Sequence, residues 1–256
     1  MKSLIFIAIT ILTWNTARLG NFRKPEKNEV LQYLMQQDAD IICLQEVDIY
    51  KNDKFLTLAE VKQLLSQKYP YSYLDFSVYD SRHQFGTMMW SRYPLIHKKS
   101  ISYKDTPTAN LSNRCDVVVG KDTFRLFNNH LQSYSFKAED LDDMHKIEAK
   151  WKRALPLRNQ QAQIVRKEIE SSPYPVIVVG DFNSIPFSFA YRHISRGLHD
   201  AYRETHLWQY GATCVHRGVG VRIDYILCSD PLVPVQCDVP NTSGSDHKPV
   251  VATLEW

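Results

Sequence analysis

A short apolar run rich in β-branched residues, closing on a carboxylate, an amide or an imidazole, recurs along this chain. Ile41-Ile42-Cys43-Leu44 runs into Gln45-Glu46, Val176–Val179 into Gly180-Asp181-Phe182-Asn183, and Phe124–Phe127 into Asn128-Asn129-His130. The first apolar segment likewise runs into Asn15. Runs of this length between turn residues read as buried strands, and strand ends at a sheet rim converge on one crevice. Two further groups fit the pattern less simply: Asp224 lies within Arg222–Leu227, and Ser245-Asp246-His247 precedes the last apolar run, Pro249–Leu254. A carboxylate inside such a strand needs a partner, because burying it unpaired is costly.

Between these runs the pattern changes period. Pro25 opens a helix with apolar positions Val30, Leu31, Leu34 and Met35, and a second helix fits Leu58–Gln67. A β series follows: Tyr71–Val78, Gly86–Trp90, Leu95–Tyr103, Val117–Val119 and Phe124–Leu131. Ala138–Ser171 reads as helix broken at Pro156, with Leu157, Gln161, Ile164, Val165 and Ile169 as its inward stripe. Beyond Asp181 come a short helix near Phe187–Ser195 and strands around Ala212–His216, Arg222–Cys228, Leu232–Cys237 and Pro249–Leu254. Strand clusters with helices interposed predict an α/β fold, a four-layer α/β/β/α sandwich of two mixed, mainly antiparallel sheets with helices outside. Its two halves should look alike in layout. No repeat, low-complexity tract or Gly/Ser linker divides the 256 residues, so residues 1–256 are expected to form one domain and one monomer.

Charge and cysteine usage exclude some classes. With 31 Lys+Arg against 28 Asp+Glu, the net charge of +3 is far from that of a nucleic-acid coat protein. Cys43, Cys115, Cys214, Cys228 and Cys237 are odd in number and lack zinc-knuckle spacing, so they are expected to be reduced and structural. That slightly favours the cytoplasm. The apolar run Leu4–Ile9 with Ile11-Leu12 is too short to span a bilayer, which takes about 20 residues. Isoleucine-rich and leading into Thr13-Trp14-Asn15, it reads as a buried strand rather than a signal peptide. Export, or membrane attachment through a segment upstream, is the alternative location.

Taken singly, each polar residue has an ordinary reading. An Asp or Glu after a strand is usually a turn former or helix cap, and a lone His130 is more often structural than catalytic. Asp224 alone pairs with Arg222 or a neighbour. Their coincidence in one kind of place points to chemistry.

Thr13-Trp14-Asn15, Leu44-Gln45-Glu46, Asn129-His130-Leu131, Gly180-Asp181-Phe182-Asn183 with Pro186, Arg222–Ile226 and Ser245–Val250 resemble, in that order, the motifs of the endonuclease/exonuclease/phosphatase superfamily. Gly86–Pro94 also looks like its central strand and turn. The likeness covers nearly the whole chain and implies a DNase I-like fold and metal-dependent phosphoester hydrolysis. It implies Glu46 as the direct ligand of Mg²⁺ or Mn²⁺, one or two ions, with Asp246 and Asn15 nearby. Oxygen donors suit such hard ions, and zinc is not expected. Asp181 is expected to deprotonate the attacking water with Asn183 beside it, and Gly180 to allow close backbone approach to substrate. His247 is expected on the phosphoryl group, oriented by Asp224, with His130 as a second donor.

Substrate is less constrained, since this superfamily hydrolyses DNA, RNA, lipid and inositol phosphates on one core. A phosphodiesterase or nuclease is the first reading, with nucleic acid as partner and no obligate protein partner. A phosphatase or phospholipase acting on inositol phosphates or sphingomyelin is the alternative. Arg82 and Arg114, expected on loops, are candidates for a second phosphate, with Asn15 as a further substrate contact. The segment Lys137–Arg158 mixes Lys146, Lys150, Lys152, Arg153 and Trp151 with acidic residues and reads mainly as a solvated helical face. Two rivals remain: a non-catalytic phosphate-binding module, and a serine or cysteine hydrolase using Ser184, Ser245 or Cys43. The second lacks a G-x-S-x-G elbow.

Overall fold

The computed structural model describes residues 7–21, 23–52, 54–79, 82–101, 103, 110–134, 143–216 and 218–256. The first strands are β1 (Ala8–Asn15), β2 (Ile41–Tyr50), β3 (Tyr71–Tyr79) and β4 (His83–Ser91). The second set runs β5 (Leu95–Ile101), β6 (Leu111–Val119), β7 (Asp122–His130), β8 (Val176–Asp181) and β9 (His199–Asp200). A β10 (Cys214–His216) and β11 (Val219–Val221) hairpin precedes β12 (Asp224–Cys228), β13 (Val233–Asp238) and β14 (Val250–Glu255). One six-stranded sheet has the order β13-β14-β1-β2-β4-β3, and the other β5-β6-β7-β8-β12-β9. Each carries a single parallel pair at its centre, β1/β2 and β7/β8, among antiparallel neighbours. The predicted likeness of the two halves is thus present in the topology.

Side-chain alternation along the strands builds the layers. Ile9, Ile11, Cys43 and Met89 of the first sheet meet Cys115, Leu126, Ile177, Val179 and Ile226 of the second in one core. The opposite face of the first sheet, with Leu12, Trp14, Ile42 and Leu44, packs on α2 (Glu29–Gln36) and α3 (Leu58–Leu65). That of the second, with Phe127, Val178 and Leu227, packs on α4 (Met144–Glu170) and α5 (Phe189–Ile194). These are the four predicted layers. All five cysteines are free, and four are buried. No described helix is long and apolar enough to cross a membrane.

Several boundaries differ from expectation for local reasons. Pro25–Lys27 is only a 3₁₀ turn; α2 starts after Asn28, whose side chain accepts from Leu31 N. α3 begins with a capping box between Thr57 and Glu60. Helix α4 runs through Pro156 unbroken: proline and Lys152 are exposed, so water can satisfy the carbonyl that loses its partner. Its inward stripe is Ala154, Arg158, Gln161, Ala162, Val165 and Ile169, so Arg158 replaces the expected Leu157. The expected start at Ala138, like Leu4–Phe6, lies outside the described residues. Four short elements differ from expectation by their presence: the turn at Ala17–Asn21, β9, β11 and α6 (Ala201–Thr205), the last capped by Asp200.

Candidate active site

The motif residues gather at one end of the sandwich, where both sheets contribute. Asn15 ends β1 and Asp181 ends β8 in the facing sheet; Asn15 Nδ2 donates to Asp181 Oδ2 at 2.9 Å and to Glu46 Oε1 at 3.2 Å. Beneath them, Gln45 Nε2 donates to Asn128 Oδ1 across the seam at 2.6 Å, and Asn113 Nδ2 donates to Thr87 Oγ1 at 2.9 Å. A core that interdigitates apolar groups elsewhere becomes a polar network here, in which Gln45 Oε1 and Asn113 Oδ1 are buried without a hydrogen-bond partner.

Local backbone aims the carboxylates. Ladder register shifts between Leu44 and Val47, and Glu46 takes φ 49° in this bulge, which turns its side chain out of the strand's alternation. Asn183 has φ 49°, and Ala17, Arg18 and Leu19 in the turn α1 (Ala17–Asn21) have φ 42°, 66° and 48°. Among described non-glycine residues with positive φ, His97 alone lies outside these segments. Strained backbone of this kind collects at functional sites. Gly180 (φ 121°) serves a different purpose from the one expected. A Cβ there would lie 2.1 Å from Asn129 O, so its missing side chain admits neighbouring β7 rather than substrate.

His247 is fixed from three directions. Trp14 Nε1 donates to its carbonyl at 2.9 Å, its own N–H donates to Ser245 Oγ at 3.1 Å, and Nδ1 faces Asp224 Oδ2 at 2.9 Å. Its Nε2 then points toward Asp181 Oδ2, 3.9 Å away. Burial opposes charge on this ring, but Asp224 and Asp181 outweigh it and hold its pKa well above the usual histidine value. Asp181 shows the opposite balance: burial, then the charge of Asp224, push it up to about 6. Glu46 is held down to about 2, because His130 at 3.3 Å, Asn15 and His247 outweigh the burial that would raise it. Two nearby carboxyls thus differ strongly in proton affinity, a pattern suited to divided labour.

A cavity of about 770 Å³ opens on this centre, lined by Glu46, Asp181, Asn183, Asp246 and His247 among others. Ligand atoms of Cys214, Asp246 and His247 lie within 4.8 Å of one another, as do those of Asp181, Asp224 and His247. Either trio could hold a metal only with the His247 ring deprotonated, and Glu46 belongs to neither. Cys214 was missed in sequence because the bridge Cys214↔His247 joins residues far apart in the chain.

Other expected residues stand differently. Asn183 Nδ2 donates to Asp181 Oδ2 and Leu131 O, both at 3.0 Å, so it braces Asp181. Asn15 Oδ1 accepts from Ala17 N, and its amide bridges two carboxylates. His130 is buried, its Nε2 3.3 Å from Glu46 Oε1, and does not itself line the cavity. Asp224 pairs with His247, while Arg222 pairs with Asp200 at 2.9 Å. Arg114 lies within β6, not on a loop, and its Nε donates to Glu168 at 3.0 Å. Arg82 precedes β4, exposed and off the cavity, its carbonyl accepting from Lys51 N. Ser245 Oγ donates to Asn15 O, and Cys43 is buried in the core, so neither is an open nucleophile.

Two mixed sheets between helices, with a histidine and carboxylates at their shared edge, define the architecture of DNase I-like proteins. The family model described as Endonuclease/Exonuclease/phosphatase family matches residues 12–247, and the chain belongs to this family. Among solved structures, an endonuclease/exonuclease/phosphatase from Beutenbergia cavernae is similar at TM-score 0.70 and 17% identity, covering 96% of this chain and 71% of that one. The human Nocturnin catalytic domain with bound sulfate is similar at 0.68 and 19%, covering 97% and 96%. TDP2 from D. rerio with a single-strand DNA product is similar at 0.67 and 17%, covering 96% and 98%. No curated protein matches the chain.

Proposed function

We propose that this protein is a divalent-metal-dependent phosphodiesterase, with nucleic acid as its substrate, that hydrolyses by in-line attack of an activated water. The observation that carries this reading is the pairing of buried Asp181 with His247, 3.9 Å apart, each backed by its own partner. Asp181, with a pKa of about 6, is ionised at neutral pH yet basic enough to take a proton from water. Asn15 and Asn183 donate to its Oδ2 and hold the carboxylate in one orientation. His247, kept protonated by Asp224, presents Nε2–H to a phosphoryl oxygen and stabilises the charge that develops there.

The donor chemistry suits a hard cation, since Glu46 is ionised, partly exposed and lines the same cavity as Asp246. Glu46 and Asp246 would hold Mg²⁺ or Mn²⁺, which supplies Lewis-acid polarisation of the phosphoryl group when bound. The sulfate in Nocturnin and the single-strand DNA product in TDP2 support a phosphoester substrate for this fold.

The test is a panel: protein with Mg²⁺ or Mn²⁺ against plasmid DNA, single-stranded RNA, sphingomyelin and inositol phosphates. Cleavage of nucleic acid, abolished by chelation and lowered several orders of magnitude in Asp181→Asn and His247→Ala, is the expected result. Hydrolysis confined to sphingomyelin or inositol phosphates overturns the nuclease reading. Full activity in both variants overturns the roles assigned to the two residues.

A further inference from the structure

The cavity continues past the catalytic side chains along a wall that this chemistry leaves unused. Arg158 is 1% exposed, and its Nε donates to Gln132 O at 2.6 Å. Its Nη2 has no hydrogen-bond partner, and among the described residues no carboxylate forms an ion pair with it. The guanidinium lies 3.9 Å from the centroid of the Tyr134 ring, and that ring lies 5.8 Å from Trp151, tilted 34°. Three flat groups thus follow one another from the interior outward, the guanidinium over the Tyr134 ring and that ring tilted against Trp151. Trp151, the last of them, is 50% exposed and lines the cavity. Ile185 and Phe187, also exposed, line it too and lie two and four residues after Asn183 in the chain. Between them and Asn183, Ser184 lines the cavity with a buried, unpartnered hydroxyl.

We propose that the Arg158–Tyr134–Trp151 stack and the Ile185–Phe187 segment form a subsite for the nucleobase next to the scissile phosphate of an unpaired strand. The inference rests on the phosphodiesterase reading above and adds what the substrate carries beside its phosphate. An aromatic face rigidly backed by a second ring and a buried cation favours a flat π-system, since any base can stack on it. The unneutralised charge of Arg158 favours the anionic strand that brings the base. An acyl chain would fill the apolar part and leave Ser184 Oγ, which lines the cavity, without a partner. A paired base cannot offer its face without leaving the duplex stack. Trp151 is the contact, and Arg158 is a positioning residue acting through Tyr134.

Three p-nitrophenyl phosphodiesters with one leaving group test this: the thymidine 5′ ester, the methyl ester and the phosphorylcholine ester. With Mg²⁺, wild type should show kcat/KM for the thymidine ester at least roughly tenfold above the methyl ester, mostly through KM. Trp151→Ala should collapse that ratio, Trp151→Phe should restore most of it, and the methyl ester should be hydrolysed alike by all three. Thymidine 5′-monophosphate should also quench tryptophan fluorescence in wild type but not in Trp151→Ala, with or without metal. Arg158→Lys should raise KM for the thymidine ester alone. Equal rates on thymidine and methyl esters, or preference for the phosphorylcholine ester, overturn the subsite. Failure of wild type on every ester overturns the catalytic reading instead.

Discussion

Gly180→Ala is a severe single-methyl change at the site end of the sandwich. A Cβ at this position lies 2.1 Å from Asn129 O and 2.8 Å from Asn129 N, both backbone atoms of the adjoining parallel strand. Neither can rotate away, so β7 and β8 must separate locally. The φ of 121° adds strain of about 1–3 kcal/mol for any residue with a Cβ. Overpacking against immobile backbone adds about 1–3 kcal/mol more. The sum, about 2–6 kcal/mol, is a large part of the 5–15 kcal/mol that stabilises a typical domain. Urea unfolding followed by circular dichroism should show this loss in the midpoint, with slope unchanged. At low temperature, where the variant remains folded, turnover should fall further than stability alone explains, because His130 and Asp181 are register partners one residue on. A loss under 1 kcal/mol with full turnover would refute the packing argument.

Asp181→Asn in EDTA should gain stability that is greatest at pH 8, about half as large at pH 5 and absent near pH 3, where the carboxyl is protonated folded and unfolded alike. The folded pKa is raised to about 6, so ionisation costs stability as pH rises from 4 through 6, and the amide removes that cost. A gain that does not vary with pH would count against it. For the same reason kcat/KM of wild type should rise as pH passes 6, and a profile flat from pH 5 to 7 would exclude Asp181 as the base. Asp224→Asn should lower turnover about 10²- to 10⁴-fold with little change in fold, because His247 loses the partner that orients and charges it. Glu46→Ala should shift the Mg²⁺ titration to higher concentration, and an unchanged midpoint would remove Glu46 as a ligand. Asp200→Ala should cost about 3–5 kcal/mol by leaving Arg222 buried and unpaired, as read by thermal denaturation.

Much of this arrangement is legible in the residues because strand and helix periods differ. Val176–Val179 and Ile41–Leu44 announce central strands, and the polar residue after each marks the rim where Asp181 and Glu46 stand. What stays hidden is set by contacts across hundreds of residues. Nothing local tells that Gln45-Glu46 bulges, that Cys214 bridges to His247, or that Asn15 faces Asp181. By sequence Arg158 belongs with its charged neighbours on a solvated face. Lys146–Asp143 and Lys152–Glu148 do pair on such a face, but Gln132 O and Tyr134 draw Arg158 inward. Arg114, expected on a loop, lies in a strand that tolerates its polar neighbours because Asn113 and Asp116 find partners at Thr87 and Arg125.

The pairing of β1 with β14 sets when this protein becomes competent. Trp14 holds His247, and Asn15 accepts from Ser245, across 233 and 230 positions of chain. Contacts of such separation close late in folding, after local hairpins such as β3/β4 and β6/β7 have formed. Hydrolytic power should therefore emerge last in refolding, lagging the recovery of sheet signal, and a partly built chain would carry its carboxylates harmlessly.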